Sequence, residues 1–306
     1  MTRYITRRLI LLIPTLLGLI LLTFGIFKLT PGDPVTIMLG QSASPEQIAI
    51  FRERLGLDEP VFIQFTKYTW SVLQGDLGHS IQGNVPVIKA VMDRLPYTLE
   101  LAGAAMTIAV LLGVTTGIVA ATTRHKWIDN VIMILTVGSL SVPEYWLATL
   151  LILVFGIQLG WIPVLGDTGF KHLILPTIAL ALGPAAVLTR LTRSTMLEAL
   201  SSNYVWTAHS KGLREKLVVL KHVLPNALIP VVTVIGLMFA SMLGGAVFVE
   251  AAFNRPGLGT FAVKAITNRD YPQIQGVVII AALTFVLINL AVDISYAYLD
   301  PRIQYE

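Results

Sequence analysis

Six stretches of this chain are apolar over about 20 residues each, the length a helix needs to cross a bilayer. They fall at 9–29, 98–121, 135–158, 173–193, 227–249 and 277–298. A backbone in lipid must bond every N–H and C=O within its own segment, so all six are predicted to be helices. The third is the least regular. Residues 128–140 are also apolar, and Pro143 interrupts the pattern. This region reads either as one long kinked helix or as an interfacial segment followed by a span, because proline lacks the N–H that a continuous helix uses.

Two polar stretches between the apolar ones are too long to be simple connections. The first, 30–97, has helix signals of its own. Ser44-Pro45-Glu46-Gln47 offers an N-cap, a proline at the first helical position and a capping-box partner. Ile48, Phe51 and Leu55 follow at helical spacing, and Leu55-Gly56-Leu57 ends the run. A second helix is expected from Val61 to Leu73. The other long stretch is 194–225. Leu197 to Ser210 reads as helix, Gly212 as a turn, and a second short helix runs toward Pro225. Two short helices set at an angle around a glycine make a compact knob, suited to a soluble partner. The plain alternative is a connecting loop that touches nothing.

Composition agrees with a membrane protein. Of 306 residues 55% are hydrophobic and 13% charged, against about 25% charged in an ordinary soluble domain. The net charge of +4 points to no nucleic acid, because the basic residues lie mostly beside the apolar stretches. Twelve of the 22 Lys and Arg fall at the N-terminus (Arg3, Arg7, Arg8), at 124–126, at 190–221 and at Arg302. The excess of Lys and Arg on the inner side of membrane proteins therefore places both termini in the cytoplasm and 30–97 outside. The run from Leu9 to Phe27 resembles a signal peptide after its three arginines, but it is too long and lacks a small-x-small cleavage site, so it is read as a retained span. There is no cysteine, which excludes disulfides and thiolate chemistry. No internal repeat or low-complexity segment is present.

Candidate chemistry is sparse. His79, His125, His172, His209 and His222 show no metal-ligand spacing, and there is no G-x-x-x-x-G-K-[ST] phosphate loop and no nucleophile–base constellation. The chain is therefore expected to be no enzyme, and any ATP-derived energy must come from a partner. Polar residues at membrane depth are the candidates for a path. Asn289 and Asp293 share one face of the last span, where Asp293 lines the path or forms a structural tie. Glu250, at the end of the fifth span, is a gate residue or a satisfied helix-end carboxylate. Glu144, after Pro143, is available to unpaired backbone at the kink.

The knob carries a resemblance. The coupling loop of ATP-binding-cassette (ABC) importer permeases is written EAA-x-x-x-G, then nine intervening residues, then I-x-L-P. With its glycine on Gly212, Ala208 takes the second Ala and Leu224-Pro225 the final Leu-Pro, while Trp206, Thr207 and His222 depart from the general pattern. However, Thr207-Ala208-x-x-Lys211-Gly212-Leu213 with His222-x-Leu224-x-Asn226 resembles the peptide and nickel branch. So do Gly75-Asp76-Leu77-Gly78-x-Ser80, Val249-Glu250-x-x-Phe253-x-x-Pro256-Gly257-Leu258-Gly259, Arg269-Asp270-Tyr271-Pro272 and Leu299-Asp300-Pro301-Arg302.

The chain is thus identified as a member of the B-type permease subunits of oligopeptide, dipeptide and nickel importers. That resemblance implies an all-α, six-span type I importer fold: an N-terminal span at 1–29, an extracytoplasmic helical segment at 30–97, and a core at 98–306 with a coupling loop at about 195–226. It implies a bacterial or archaeal cytoplasmic membrane and a second, C-type permease. It also implies two ABC ATPases that bind the ATP and Mg, and an extracytoplasmic binding protein that delivers a peptide-type cargo. Trp206, Thr207, Ala208, His209, Lys211, Gly212, Leu213, His222, Leu224 and Pro225 would couple to the ATPases. Nickel chelates, glutathione and sugars are the alternative cargoes. A stand-alone secondary transporter or channel is the runner-up, but it lacks the inverted halves common in such folds and leaves the knob unused. A membrane-embedded enzyme lacks clustered catalytic residues.

Overall fold

The computed structural model describes residues 2–29, 35, 44–54, 56–164 and 169–299, with backbone only at 2–9, 27, 29, 51, 54, 293 and 295–299. Regular structure among these is helical apart from one isolated bridge, His79 to Pro86. In chain order the helices are α1 (Thr2–Leu29), α2 (Pro45–Arg54), α3 (Val61–Leu73), α4 (Val87–Met92), α5 (Leu95–Thr122), α6 (Lys126–Ser141) and α7 (Glu144–Leu151), which widens into a π-helix over Ile152–Gln158. Then come α8 (Lys171–Leu200), α9 (Asn203–Ser210), α10 (Glu215–Val218) with a π-turn at Val219–Val223, α11 (Leu224–Phe253), α12 (Leu258–Thr267) and α13 (Tyr271–Leu299).

Among the described residues, four helical stretches are long and apolar enough to cross a membrane: Val87–Thr122, Lys171–Leu200, Glu215–Phe253 and Tyr271–Val292. A fifth is added if α6 and α7 form one broken span. The first predicted span is helical, but its described apolar part, Ile10–Ile26, is shorter. The predicted third span at 135–158 is not one straight helix: the chain bends there by 100°. The cause is local. Pro143 disfavours helical geometry in the residue before it, and Val142 is extended at φ −95°, ψ 119°. Residues 135–141 therefore belong to α6 and not to the helix after the bend.

The chain forms two compact units, 1–96 with 260–286, and 97–259 with 287–306. In the first, the predicted capping box forms. The Gln47 N–H donates to Ser44 Oγ (3.2 Å), and the Ser44 N–H donates to Gln47 Oε1 (3.0 Å). Gly56 closes α2 at φ +62°, and α3 occupies the predicted bounds. Phe24 of α1 meets Phe65 of α3 edge to face at 5.5 Å. Two motifs distant in sequence meet in this unit. Asp270, 1% exposed, accepts from Ser80 Oγ (2.5 Å), from the Ile81 N–H (3.1 Å) and from the Gln273 N–H (3.3 Å). The Arg94 guanidinium lies over the Phe261 ring at 4.3 Å.

The second unit is built on small residues. Ala102, Ala105 and Ala109 of α5 and Ala179, Ala181 and Ala185 of α8 are buried in one core with Leu101, Leu175 and Leu188. Membrane helices gain little from hydrophobicity against each other, so close backbone approach does the packing. A side chain at Gly113 would stand 2.7 Å from the Ala185 carbonyl oxygen, and one at Gly117 2.8 Å from that of Thr189. Between them the Thr116 and Thr189 hydroxyls share a hydrogen bond at 2.8 Å.

Candidate functional site

The segment between α8 and α11 forms a shaped element with many exposed residues. It departs from expectation at one point. The predicted helix from Leu197 to Ser210 is interrupted at Ser201 and Ser202, whose hydroxyls donate back to the carbonyls of Glu198 and Ala199. Serine competes in this way with the backbone ladder, and Ser202 then turns extended to start α9.

α9 ends in a Schellman arrangement. The Gly212 N–H donates to the His209 carbonyl (2.9 Å) and the Leu213 N–H to that of Ala208 (3.4 Å). Gly212 sits at φ +74° with nothing within 4 Å of a would-be Cβ. Only backbone conformation holds glycine there. Leu213 and Ala208 pack together, the apolar contact that completes this motif. Across the turn, His209 Nε2 lies 3.0 Å from Glu215 Oε2.

The knob has an inside and an outside. Val205, Ala208, Val218 and Val223 are buried together with Met196 of α8 and Ala227 of α11. This small core packs the knob onto the two long helices it joins. Trp206, Thr207, His209, Lys211, Gly212 and Pro225 face outward, whereas Ala208 is buried and Leu213, His222 and Leu224 are half-buried. Trp206 is 71% exposed. A large amphipathic ring left in water is the kind of anchor that interfaces bury. Tyr204, at the start of the stretch read as a docking element, is exposed, and sequence reading did not single out its exposed apolar neighbours Leu217 and Leu220 or Glu215. The spacing of Leu217 and Leu220 on one helical face was the available signal.

Next to the knob, Arg193 of α8 makes a bidentate pair with Asp129 of α6 at 2.6 and 2.5 Å. A cavity of about 520 Å³ opens here between the same helices, lined by Met133, Val187, Arg190, Leu191, Arg193 and Ser194.

The predicted path residues lie elsewhere. Glu250 is 0% exposed. Its Oε2 accepts the Gly259 N–H at 2.7 Å, in the first turn of α12, where negative charge is favoured. The chain reverses into α12 through Asn254 at φ +48°, and a side chain at Gly257 would collide with the Glu250 carboxylate at 2.2 Å. In this conformation Glu250 has no exposed surface. Close by, Arg255 reaches Glu100 at 3.0 Å, and the Leu258 N–H donates to Thr98 Oγ1 at 2.9 Å. Asn289 is half-buried and has a partner. The Asp293 side chain lies outside the described residues.

Comparison with known proteins gives one consistent result. Residues 113–305 match the family described as the binding-protein-dependent transport system inner membrane component, and residues 1–102 match its N-terminal family. The chain is 42% identical to a dipeptide transport system permease protein of Alkalihalophilus pseudofirmus, over all of both chains. It is 45% identical to a glutathione transport system permease protein of Salmonella choleraesuis and 42% to that of Escherichia coli K12, again over full lengths. Among solved structures, an amino acid ABC transporter aligns over 70% of this chain and 94% of its own, with TM-score 0.54 and 22% identity. An inward-facing methionine ABC transporter aligns over 69% and 96%, with TM-score 0.56 and 17% identity.

Proposed function

The chain belongs to the family of binding-protein-dependent transport inner membrane components, and from that premise we propose that it forms half of the translocation path for a di- or oligopeptide-type substrate. It is a multi-pass permease subunit of an ABC importer, with no ATPase of its own. The observation that carries the peptide assignment is the 42–45% identity, end to end, to dipeptide and glutathione permeases. The proposed assembly adds a C-type permease, two ABC ATPases that hold ATP and Mg, and a binding protein on the outer face, with both termini of this chain in the cytoplasm.

In this reading the exposed side of α9, with Trp206 at its centre, seats in a groove on one ATPase. Closure of the two ATPases on ATP displaces the knob. Because Val205, Ala208, Val218 and Val223 pack it onto α8 and α11, those helices move with it, and the Arg193–Asp129 pair carries α6 along. A ligand-driven closure thereby biases a two-state membrane domain between inward and outward access. Segment 44–74, with α2 and α3, is proposed to help receive the binding protein. Deleting it is expected to weaken binding-protein docking, and unchanged docking rejects that role.

The first test is a mild-detergent pull-down of the tagged chain from its native membrane, with mass spectrometry of the co-purifying proteins. A second permease and two ATP-binding subunits are expected. Recovery of the chain without any ATPase rejects the proposal. The purified complex in proteoliposomes, given binding protein and internal ATP, should accumulate labelled dipeptide or glutathione.

A further inference from the structure

The bend between α6 and α7 places a lone carboxylate in apolar surroundings. From Asn130 to Ile157 the only charged residue is Glu144, and there is none from 173 to 189 or from 223 to 249, the parts of α8 and α11 that pack around it. A charged side chain at membrane depth costs about 2.5–3.5 kcal/mol even on the mildest scale, and such residues face a bundle interior or water. Asp129 pairs with the Arg193 guanidinium, and Glu250 accepts the Gly259 N–H through one of its two oxygens. Glu144 differs: it has no hydrogen-bond or ion-pair partner among the described residues. It is not capping its own helix either, since α7 starts after Pro143 without a side-chain cap.

The surroundings of Glu144 leave it room. Its Oε2 is 2.9 Å from where a Cβ would stand on Gly245 of α11, and its Oε1 is 3.9 Å from the same point on Gly183 of α8. The carboxylate thus lies over glycines on two different helices, and its side chain is half-buried, not sealed. Ser241 and Gly244, beside Gly245 on α11, are exposed, so its open side adjoins a polar and small-residue face. Helix breaks in the middle of a membrane are where transporters place ligand contacts, because the interrupted backbone needs polar company there.

We propose that Glu144 is a substrate-contacting residue that transiently pairs with the free ammonium group of a peptide as it passes the bend. The proposal rests on the permease reading above. The substrate class it implies is a peptide with an unblocked amino group, the feature a lone carboxylate selects by a charge-assisted hydrogen bond. The contact comes from a single half-buried carboxylate, so it guides the substrate without trapping it.

The test uses the whole complex in proteoliposomes with its binding protein and internal ATP. Wild-type complex should take up a labelled dipeptide, and its failure to do so overturns both readings at once. With wild type active, Glu144→Gln should reduce uptake about tenfold, as expected for losing one charged hydrogen bond. Assembly with the second permease, and ATPase stimulation by loaded binding protein, should stay within about twofold, since neither needs this charge. Glu144→Asp should recover most of the uptake. Full uptake by the Gln variant overturns the proposal, because an isosteric amide preserves a purely structural role. Loss of the second permease from the Gln variant also overturns it, by making Glu144 a subunit-interface ion pair. A second measurement is independent of uptake. The chain has no cysteine, so Glu144→Cys introduces its only thiol. In a complex whose other subunits have had their cysteines removed, a charged, water-soluble thiol reagent should label that thiol, and loaded binding protein should slow the labelling severalfold. A thiol that stays unreactive in every nucleotide state, or that peptide does not protect, overturns the assignment.

Discussion

Gly212 and Trp206 act in opposite ways at the same knob. Gly212 contributes a backbone angle. At φ +74° a residue with a Cβ is strained by about 1–2 kcal/mol, and a β-branched one by more. Nothing stands within 4 Å of the added atom, so the strain distorts the turn without a collision in the core. Gly212→Val is expected to leave the chain folded and ATP hydrolysis running while uptake falls, and Gly212→Asn, which tolerates this conformation, to retain most uptake. Parallel uptake and ATPase assays on the reconstituted complex check both, and wild-type uptake by the Val variant refutes the turn's role. Trp206 contributes surface. Truncating a residue that is 71% exposed should change the stability of the chain by no more than about 0.5 kcal/mol. A central aromatic anchor, in contrast, is worth about 2 kcal/mol or more at an interface. Trp206→Ala should therefore weaken ATPase association about 30-fold with an unchanged melting temperature of the isolated chain, read by titrating the ATPase onto the permease.

At the scale of elements, the fold depends on a few polar junctions where helices end. Asp270 receives three donors in the first unit, and joins the Gly75–Ser80 motif to the start of α13. Asp270→Ala strands buried donors and should destabilise the chain by about 2–3 kcal/mol, seen as a lower midpoint in a detergent thermal melt. Ser80→Ala removes one donor of the three and should lower it less. Glu250 plays the matching part in the second unit, at the reversal between α11 and α12. The close approach of Gly257 makes that reversal intolerant. Gly257→Ala drives a methyl group into the Glu250 carboxylate and is expected to cost about 1–3 kcal/mol, read in the same melt.

At the scale of the whole molecule, topology is set by charge and can be tested by fusion. A fluorescent protein attached at either terminus should light up if the proposed orientation, with both termini in the cytoplasm, holds. Alkaline phosphatase inserted near Gly83, in the polar stretch expected outside, should be active. The reverse pattern inverts the orientation and removes the knob from the ATPase side.

The apolar periodicity alone determined that the chain is helical and membrane-embedded. The Ser44 capping box located α2, and the glycine at 212 located the knob's turn, because such signals are local and read directly from residue type. The spacing between Gly212 and Leu224-Pro225, together with the order of the other motifs along the chain, identified the family. Tertiary structure decided what depended on neighbours distant in sequence. No local pattern says that Asp270 meets Ser80, that Asp129 pairs with Arg193, or that Glu250 turns inward to cap α12. The bend at Pro143 was visible as an interruption, but its 100° angle was not. Whether Glu144 had a partner was also hidden, since that depends on glycines 39 and 101 residues further along the chain. Local signals fix where helices start and stop, whereas the satisfaction of buried charge is settled only when helices distant in sequence pack together.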